Sequence, residues 1–410
     1  MPHRILIAVT HLLGSGHLSR AAMIAAGLAE AGHDVTLASG GMPVPTIKIG
    51  PYPFVQLPPV RVVGTDYANL LDDAGSAVGE RYRSRRIAIL TGLVDRARPD
   101  VLITEHFPFG RRQLADEFVA LIDAAKNAHP KVRVLASIRD VLIAPSKASR
   151  LTEVAQRIAA SFDAVLVHGD ETVLPLEKSW PVESPDMAAR LIYTGYIAKP
   201  GADSRADAPA PGAIGNNEIL VSGGGSAAAL PLFRAAIGAA RLSAAAHSWR
   251  ILVGHGVSDT QFHDLLLLAD DSGKGNLVVE RARRDFTSLL ATSAVSVSQA
   301  GYNTIIDLLH ARRPAVVVPY EEDNETDQIL RARALAERGL CTICETATLT
   351  SATLLAAVEA AIVRGPPPKS DINLNGVART VEIVEALLAD TPVNEISAGW
   401  NFLRHRHGSE

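Results

Sequence analysis

The chain has 410 residues, more than one compact core accommodates and enough for two domains of ordinary size. Its residues are 47% hydrophobic, 20% charged and 5% aromatic, which excludes a disordered or fibrous protein and predicts a mostly aliphatic α/β core. A formal net charge of -4 supplies no global field for nucleic acid, so a phosphate-bearing ligand has to be held by local geometry.

The apolar run at residues 5–9 is far too short to span a bilayer, and no small-residue cleavage site follows it. It reads as the first buried strand of a cytoplasmic protein, with attachment to a membrane surface left open. A glycine loop, a helix over 18–31 and a strand over 34–38 complete a βαβ unit with parallel strands. Residues 42–66 are rich in Pro and Gly and read as an irregular segment, a candidate wall for an acceptor. The α/β pattern resumes with a helix over 78–97, whose basic run Arg81, Arg83, Arg85 and Arg86 reads as a solvated face, or alternatively as a contact for an anionic acceptor or lipid headgroup. Strands at 101–104, 132–137 and 164–168 alternate with helices at 112–128 and 150–160. Each strand ends before a polar cluster, where open parallel sheets place ligands. Glu105, His106 and Arg139 occupy such ends.

Residues 200–217 are rich in Pro, Gly, Ala and Asp and suit a linker between a first domain at 1–199 and a second at 218–375. The second series has strands at 218–222, 249–253, 277–280, 294–297 and 314–318, with helices at 227–244, 285–292, 303–311 and 326–338. A closing helix at 377–388 lies in a segment, 376–410, that could pack across both lobes. Cys341 and Cys344 sit three apart on a short strand and so point to opposite faces, which argues against a redox or zinc role and suits a reducing compartment.

Three segments carry chemistry. The first loop contains Gly14, Gly16 and His17 between a strand and a helix, where glycines permit close backbone approach and the helix N-terminus favours negative charge. A dinucleotide fold would require a third glycine where Ser19 stands and an acidic end to the second strand, and neither is present. An imidazole at this mouth can accept a proton at neutral pH, although a lone histidine is more often structural. The second loop, Gly223, Gly224 and Gly225, leaves backbone N–H groups free to face an anion, and lacks the Gly-Lys-Ser/Thr of a Walker motif. The third segment runs through Gly301, Asn303, Thr304 and Asp307 to Asp327 and Gln328. Asn303 and Thr304 open a helix and can bind a diphosphate without metal, Asp307 can accept from ribose hydroxyls, and Asp327 and Gln328 can engage a sugar. Helix capping is the plainer role for each taken singly.

The stretch from Ser298 through Asp307 and Pro319 to Gln328 resembles the donor-binding half of GT-B glycosyltransferases, and is most similar to glycosyltransferase family 28. The loops at Gly14–Gly16 and Gly223–Gly225 resemble that family's glycine loops. The likeness is strong after residue 218 and looser between 40 and 200. It implies an α/β fold of two Rossmann-like domains facing each other across a cleft. It also implies a UDP-sugar as co-substrate with no further cofactor and no metal, and nucleobase contact from the backbone around Arg283. The family commonly has Glu where Asp307 stands. The implied activity is transfer of a hexose or N-acetylhexosamine, with inversion, to an unidentified acceptor hydroxyl on a glycan, lipid or small molecule, deprotonated by His17 or Glu105. A UDP-sugar hydrolase of the same fold, which shares the Gly14-x-Gly16-His17-x-x-Arg20 pattern, and a noncatalytic nucleotide-sugar binding protein are the alternatives.

Overall fold

Consecutive aliphatic residues in β1 (Arg4–Val9) are buried on alternate faces: Leu6 and Ala8 join one core cluster, Ile5, Ile7 and Val9 another. The computed structural model describes residues 2–398 except residues 13, 46, 65, 183, 199–213, 226, 245–246, 271–275 and 322–325. After β1 come α1 (Gly16–Glu30), β2 (Asp34–Gly41), β3 (Phe54–Val60), α2 (Glu80–Ala97), β4 (Val101–Glu105), α3 (Ala115–Ala128) and β5 (Arg133–Arg139). The first series ends with α4 (Ala148–Ser161), β6 (Ala164–His168), α5 (Pro185–Ala188) and β7 (Leu191–Tyr193). Its seven strands form one parallel sheet in the order β3-β2-β1-β4-β5-β6-β7.

The second series comprises β8 (Ile219–Ser222), α6 (Leu230–Leu242), β9 (Trp249–Val253), α7 (Asp259–Asp270), β10 (Leu277–Arg281), α8 (Phe286–Thr292) and β11 (Val295–Ser298). It continues with α9 (Tyr302–Ala311), β12 (Ala315–Val317), α10 (Asp327–Ala336), β13 (Thr342–Ile343) and α11 (Ser351–Arg364), and the last helix is α12 (Gly376–Leu388). The second parallel sheet has the order β10-β9-β8-β11-β12-β13. Both orders are Rossmann-like: sequence runs outward one way from a central strand, then returns and runs the other way.

The chain divides into two units, Met1–Ala198 with Ile372–Glu410, and Lys199–Asp371. Of the second domain expected at 218–375, residues up to Asp371 lie in the second unit, and 372–375 group with the first. Gly195 lies against Asn373, and Ile197 bridges Asn375, which ties the returning chain to the first unit. The α12 helix belongs there too, packing Val377 onto α1 at Gly27 and placing Ile383, Val384 and Leu387 in the same core as Leu28. Most of the expected linker lies outside the described residues, as do residues 399–410.

Two expectations need correction. Residues 42–66 are not wholly irregular, because Phe54–Val60 forms β3 and pairs in parallel with β2. Its Pro58 and Pro59 cannot donate to a ladder, and they are tolerated because β3 is an edge strand. The basic run on α2 is not uniformly solvated either. Arg86 is fully buried, its Nε and Nη2 donating to both carboxylate oxygens of Glu117 at 2.8 and 2.7 Å and its Nη1 to the Gly40 carbonyl at 3.0 Å.

Candidate functional site

In the first sheet β1 and β4 are neighbours, and the chain leaves them toward opposite edges. The crevice beyond their C-terminal ends is where such sheets receive ligands. His17 lies in the first turn of α1, just after β1, and Glu105 is the last residue of β4. The switch point brings them together: His17 Nδ1 and Glu105 Oε1 are 2.7 Å apart. A ring nitrogen without a proton would repel the carboxylate at that distance, so the proton sits on Nδ1 and Nε2 keeps its lone pair. Arg20, one turn along α1, directs Nη2 to the same Glu105 oxygen and lies 3.1 Å from His17 Nδ1.

The other Glu105 oxygen is held from the neighbouring strands. Ser137 stands opposite Glu105 in the β4–β5 register, and its Oγ lies 2.5 Å from Oε2. His168, at the end of β6, places Nε2 2.9 Å from the Ser137 hydroxyl and Nδ1 2.8 Å from that of Thr194. Burial pushes the His168 imidazole down to about 3, so it is neutral and carries one ring proton. Ser137 donates to Glu105 Oε2 and the Thr194 hydroxyl donates to the Gly195 carbonyl at 2.8 Å, so the His168 ring is held between two hydroxyls.

Glu105 is 1% exposed and saturated by these partners, whereas His17 is 18% exposed. Burial first, then the guanidiniums of Arg111, Arg20 and Arg139, hold the His17 imidazole well below its usual range. Arg20 on the shared oxygen answers the carboxylate charge, so Glu105 does not reverse that direction. His106 packs its ring 5.0 Å from that of His17 and is likewise held low, chiefly by burial. The segment from His106 to Arg111 begins and ends in the left-handed region, at φ 69 and 63, outside glycine's usual monopoly of it. Gly110 between them is obligatory, since a Cβ there would lie 2.3 Å from the His106 ring. A cavity of about 410 Å³ opens beside His17, walled by Phe109, Leu142 and Trp180 and edged by arginines.

In the second sheet the corresponding switch falls between β8 and β11. The loops that follow those strands are the ones carrying Gly223, Gly224 and Gly225, and Gly301. Gly224 has φ +66, and a Cβ on Gly224 or Gly225 would meet nothing within 4 Å, so their backbone faces open space. Gly223 is different: a Cβ there would lie 2.0 Å from that of Ala229 and 2.7 Å from the Phe233 ring. Gly254 must also lack a side chain, because Gly224 O would be 2.1 Å from its Cβ.

Gly301 caps α9, with Asn303 exposed and Thr304 half-buried in its first turn and Asp307 one turn further. The side chains of Asn303 and Thr304 make no hydrogen bond to a described residue. Gln328 accepts from Ala300 N at 3.0 Å and Tyr320 N at 3.1 Å, bracing two loops with the carbonyl expected to meet a sugar and leaving its NH2. Asp327, at the start of α10, is buried and stands 3.7 Å from Arg331, which itself donates to Ala300 O at 2.7 Å. Arg283 forms a fork with Asp285 at 2.9 and 2.8 Å, so its side chain is engaged and its backbone is what a base could meet. Burial pushes the Cys341 thiol up to about 12 and raises that of Cys344. Among the described residues no three His, Cys, Asp or Glu gather as metal ligands, and no helix is long and apolar enough to cross a membrane.

Arg20, quoted above only as part of the Gly14-x-Gly16-His17-x-x-Arg20 pattern, is joined in these sites by Ser137, His168 and Arg331, which do not stand out in the sequence. A polar residue ending an aliphatic strand, as Ser137 and His168 do, is the available signal.

Residues 218–375 match the glycosyltransferase family 28 C-terminal domain. A UDP-N-acetylglucosamine–N-acetylmuramyl-(pentapeptide) pyrophosphoryl-undecaprenol N-acetylglucosamine transferase of Desulforudis audaxviator is 30% identical over 178 residues, 42% of this chain and 48% of that protein. Its namesake from Geobacillus thermodenitrificans is 29% identical over 119 residues, 29% of this chain and 33% of that protein. The chain thus spans between a third and a half of the curated relatives it matches. Among solved structures, MurG of Acinetobacter baumannii superimposes with a TM-score of 0.58 at 15% identity, over 93% of this chain and 99% of that one. The calicheamicin glycosyltransferase CalG4 gives 0.57 at 14% identity, over 98% of each chain. The chain therefore has the GT-B fold, carries a glycosyltransferase family 28 C-terminal domain in its second unit, and is family 28-like.

Proposed function

We propose that the protein is a glycosyltransferase that moves a hexose or N-acetylhexosamine from a UDP-sugar to an acceptor hydroxyl, with inversion. The observation that carries this reading is the 2.7 Å contact that fixes the His17 tautomer beside a cavity, with Nε2 left as the base. The acceptor proton passes to Nε2, the acceptor oxygen forms its bond to the anomeric carbon, and the bond from that carbon to phosphate oxygen breaks with its electrons leaving on UDP. Glu105 orients the ring and balances the imidazolium; its burial makes it a positioning residue and not the base.

The donor falls to the second unit. The N-terminus of α9, the Asn303 and Thr304 side chains and the glycine-loop amides offer charge and donors for the departing diphosphate, a role that calls for no metal. UDP is preferred because the curated relatives are named for UDP-N-acetylglucosamine; dTDP is the comparison base, since a neighbour of TM-score 0.56, VinC, was solved with it.

The test is a thermal-shift and diphosphate-release panel of UDP-, GDP-, ADP- and dTDP-sugars, with and without hydroxyl acceptors. Stabilisation by a UDP-sugar with acceptor-dependent UDP release supports transfer. Release that no acceptor changes would instead indicate a hydrolase, and binding with no turnover of any sugar nucleotide would indicate a noncatalytic binding protein.

A further inference from the structure

The cavity beside His17 has a charge that the proposed chemistry does not require. Arg111, Arg112, Arg139, Arg150 and Arg157 line it, against the single carboxylate of Glu153. That carboxylate is already taken by Arg157 at 2.7 Å. Arg111, Arg112 and Arg150 have no ion-pair partner among the described residues. In a chain of net charge -4, this concentration of positive charge runs against the whole.

Arg111 is the most informative of them. Its backbone is left-handed and its Nε donates to the Thr10 carbonyl, which fixes the guanidinium plane within the wall. Burial lowers it to about 10, yet it stays charged at neutral pH. The Glu105 carboxylate offsets that burial in part, but it is already engaged by His17, Arg20 and Ser137 and forms no ion pair with Arg111, so an anion on a ligand would relieve the remaining cost. Part of the wall is apolar, with Phe109 and Trp180 edge to face at 5.2 Å and Leu142 beside them. A volume of about 410 Å³ suits a compact molecule of a few rings.

We infer that this cavity takes a small amphipathic acid as acceptor: an apolar, ring-bearing body with a hydroxyl directed at His17 and a carboxylate or phosphate held by Arg111, Arg112 and Arg150. The assignment rests on the transferase reading for the word acceptor, but the anion site stands on the arginines alone. Guanidinium forks pair with both anions, so the two sources share one recognition chemistry.

The experiment is calorimetric titration of the full chain with 6-hydroxy-2-naphthoic acid, its methyl ester, and the monophosphate of 2,6-dihydroxynaphthalene. The inference predicts that the acid or the phosphate binds at least about tenfold more tightly than the ester, and whichever is tighter identifies the source. Arg111→Gln, and separately the pair Arg112→Gln with Arg150→Gln, should erase that preference and leave ester affinity within about threefold. The paired variant alters residues with no internal ion pair, so it keeps the test usable if Arg111→Gln misfolds. Equal binding of all three probes, no saturable binding of any, or a preference that survives both variants would overturn the inference. Nucleotide-sugar stabilisation of the same preparation separates the two claims. Donor binding without acid preference refutes the acceptor assignment alone; acid preference without donor binding or turnover refutes the transferase reading alone.

Discussion

Glu105 and His17 are separated by 88 residues, yet meet at 2.7 Å because one ends β4 and the other opens the helix after β1. The strand order makes β1 and β4 neighbours, so the contact follows from topology and not from sequence proximity.

Replacing Glu105 by Gln should therefore act through His17. The amide cannot balance an imidazolium, and turnover should fall by about 100-fold or more with donor KM within about threefold. Glu105→Gln also removes the carboxylate charge facing the buried Arg20, so a loss of about 3 kcal/mol in folding stability is expected alongside, checked by denaturant melts. Unchanged kcat in a folded variant would remove Glu105 from the mechanism.

The pH–rate profile follows from the lowered His17 imidazole. Its base form is complete at neutral pH, so kcat/KM should be level from about pH 7 to 8 and fall only on the acid side of 6.5. A limb centred above 7 would contradict this environment.

The buried His168 makes a separate prediction about stability. Its folded-state value of about 3 lies below the ordinary 6.5, so the unfolded chain binds the proton first as pH falls. Stability attributable to it is whole above 6.5 and declines between 6.5 and 3, by about 1.4 kcal/mol per pH unit over the steep part. His168→Gln should flatten the stability–pH slope by about one proton in that window, whatever it does to absolute stability. An unaltered slope would mean that His168 titrates normally.

Two glycines of one loop should behave differently. Gly223→Ala drives a methyl to 2.0 Å from Ala229 Cβ and should cost about 1–3 kcal/mol by overpacking. Gly225→Ala meets nothing within 4 Å, so the fold should tolerate it while donor KM rises if the loop faces the diphosphate. Equal melting temperatures for the two variants would contradict the packing described here.

Much of this architecture was legible because aliphatic runs of strand length recur between helical patterns, and those at 5–9, 101–104 and 164–168 became β1, β4 and β6. β3 was hidden by Pro58 and Pro59, which are acceptable only on an edge that a single sequence does not reveal. The reciprocal bonds of Ser258 and Gln261 at the start of α7 fit a recognisable Ser-x-x-Gln pattern, whereas α11 is capped by Thr350 and Thr353, which lack the usual glutamate or glutamine. His17 could be singled out from its glycine loop and Glu105 from its strand end, but not their contact. Ser137, His168 and Thr194 join them only through register and side-chain direction across adjacent strands.

The most direct measurement is the kinetics of His17→Ala with a nucleotide-sugar that stabilises the wild type. If Nε2 of His17 is the base, turnover should fall by about 100-fold or more while donor affinity, measured by titration, stays within about threefold. Loss of donor binding, or transfer at the wild-type rate, would contradict the account.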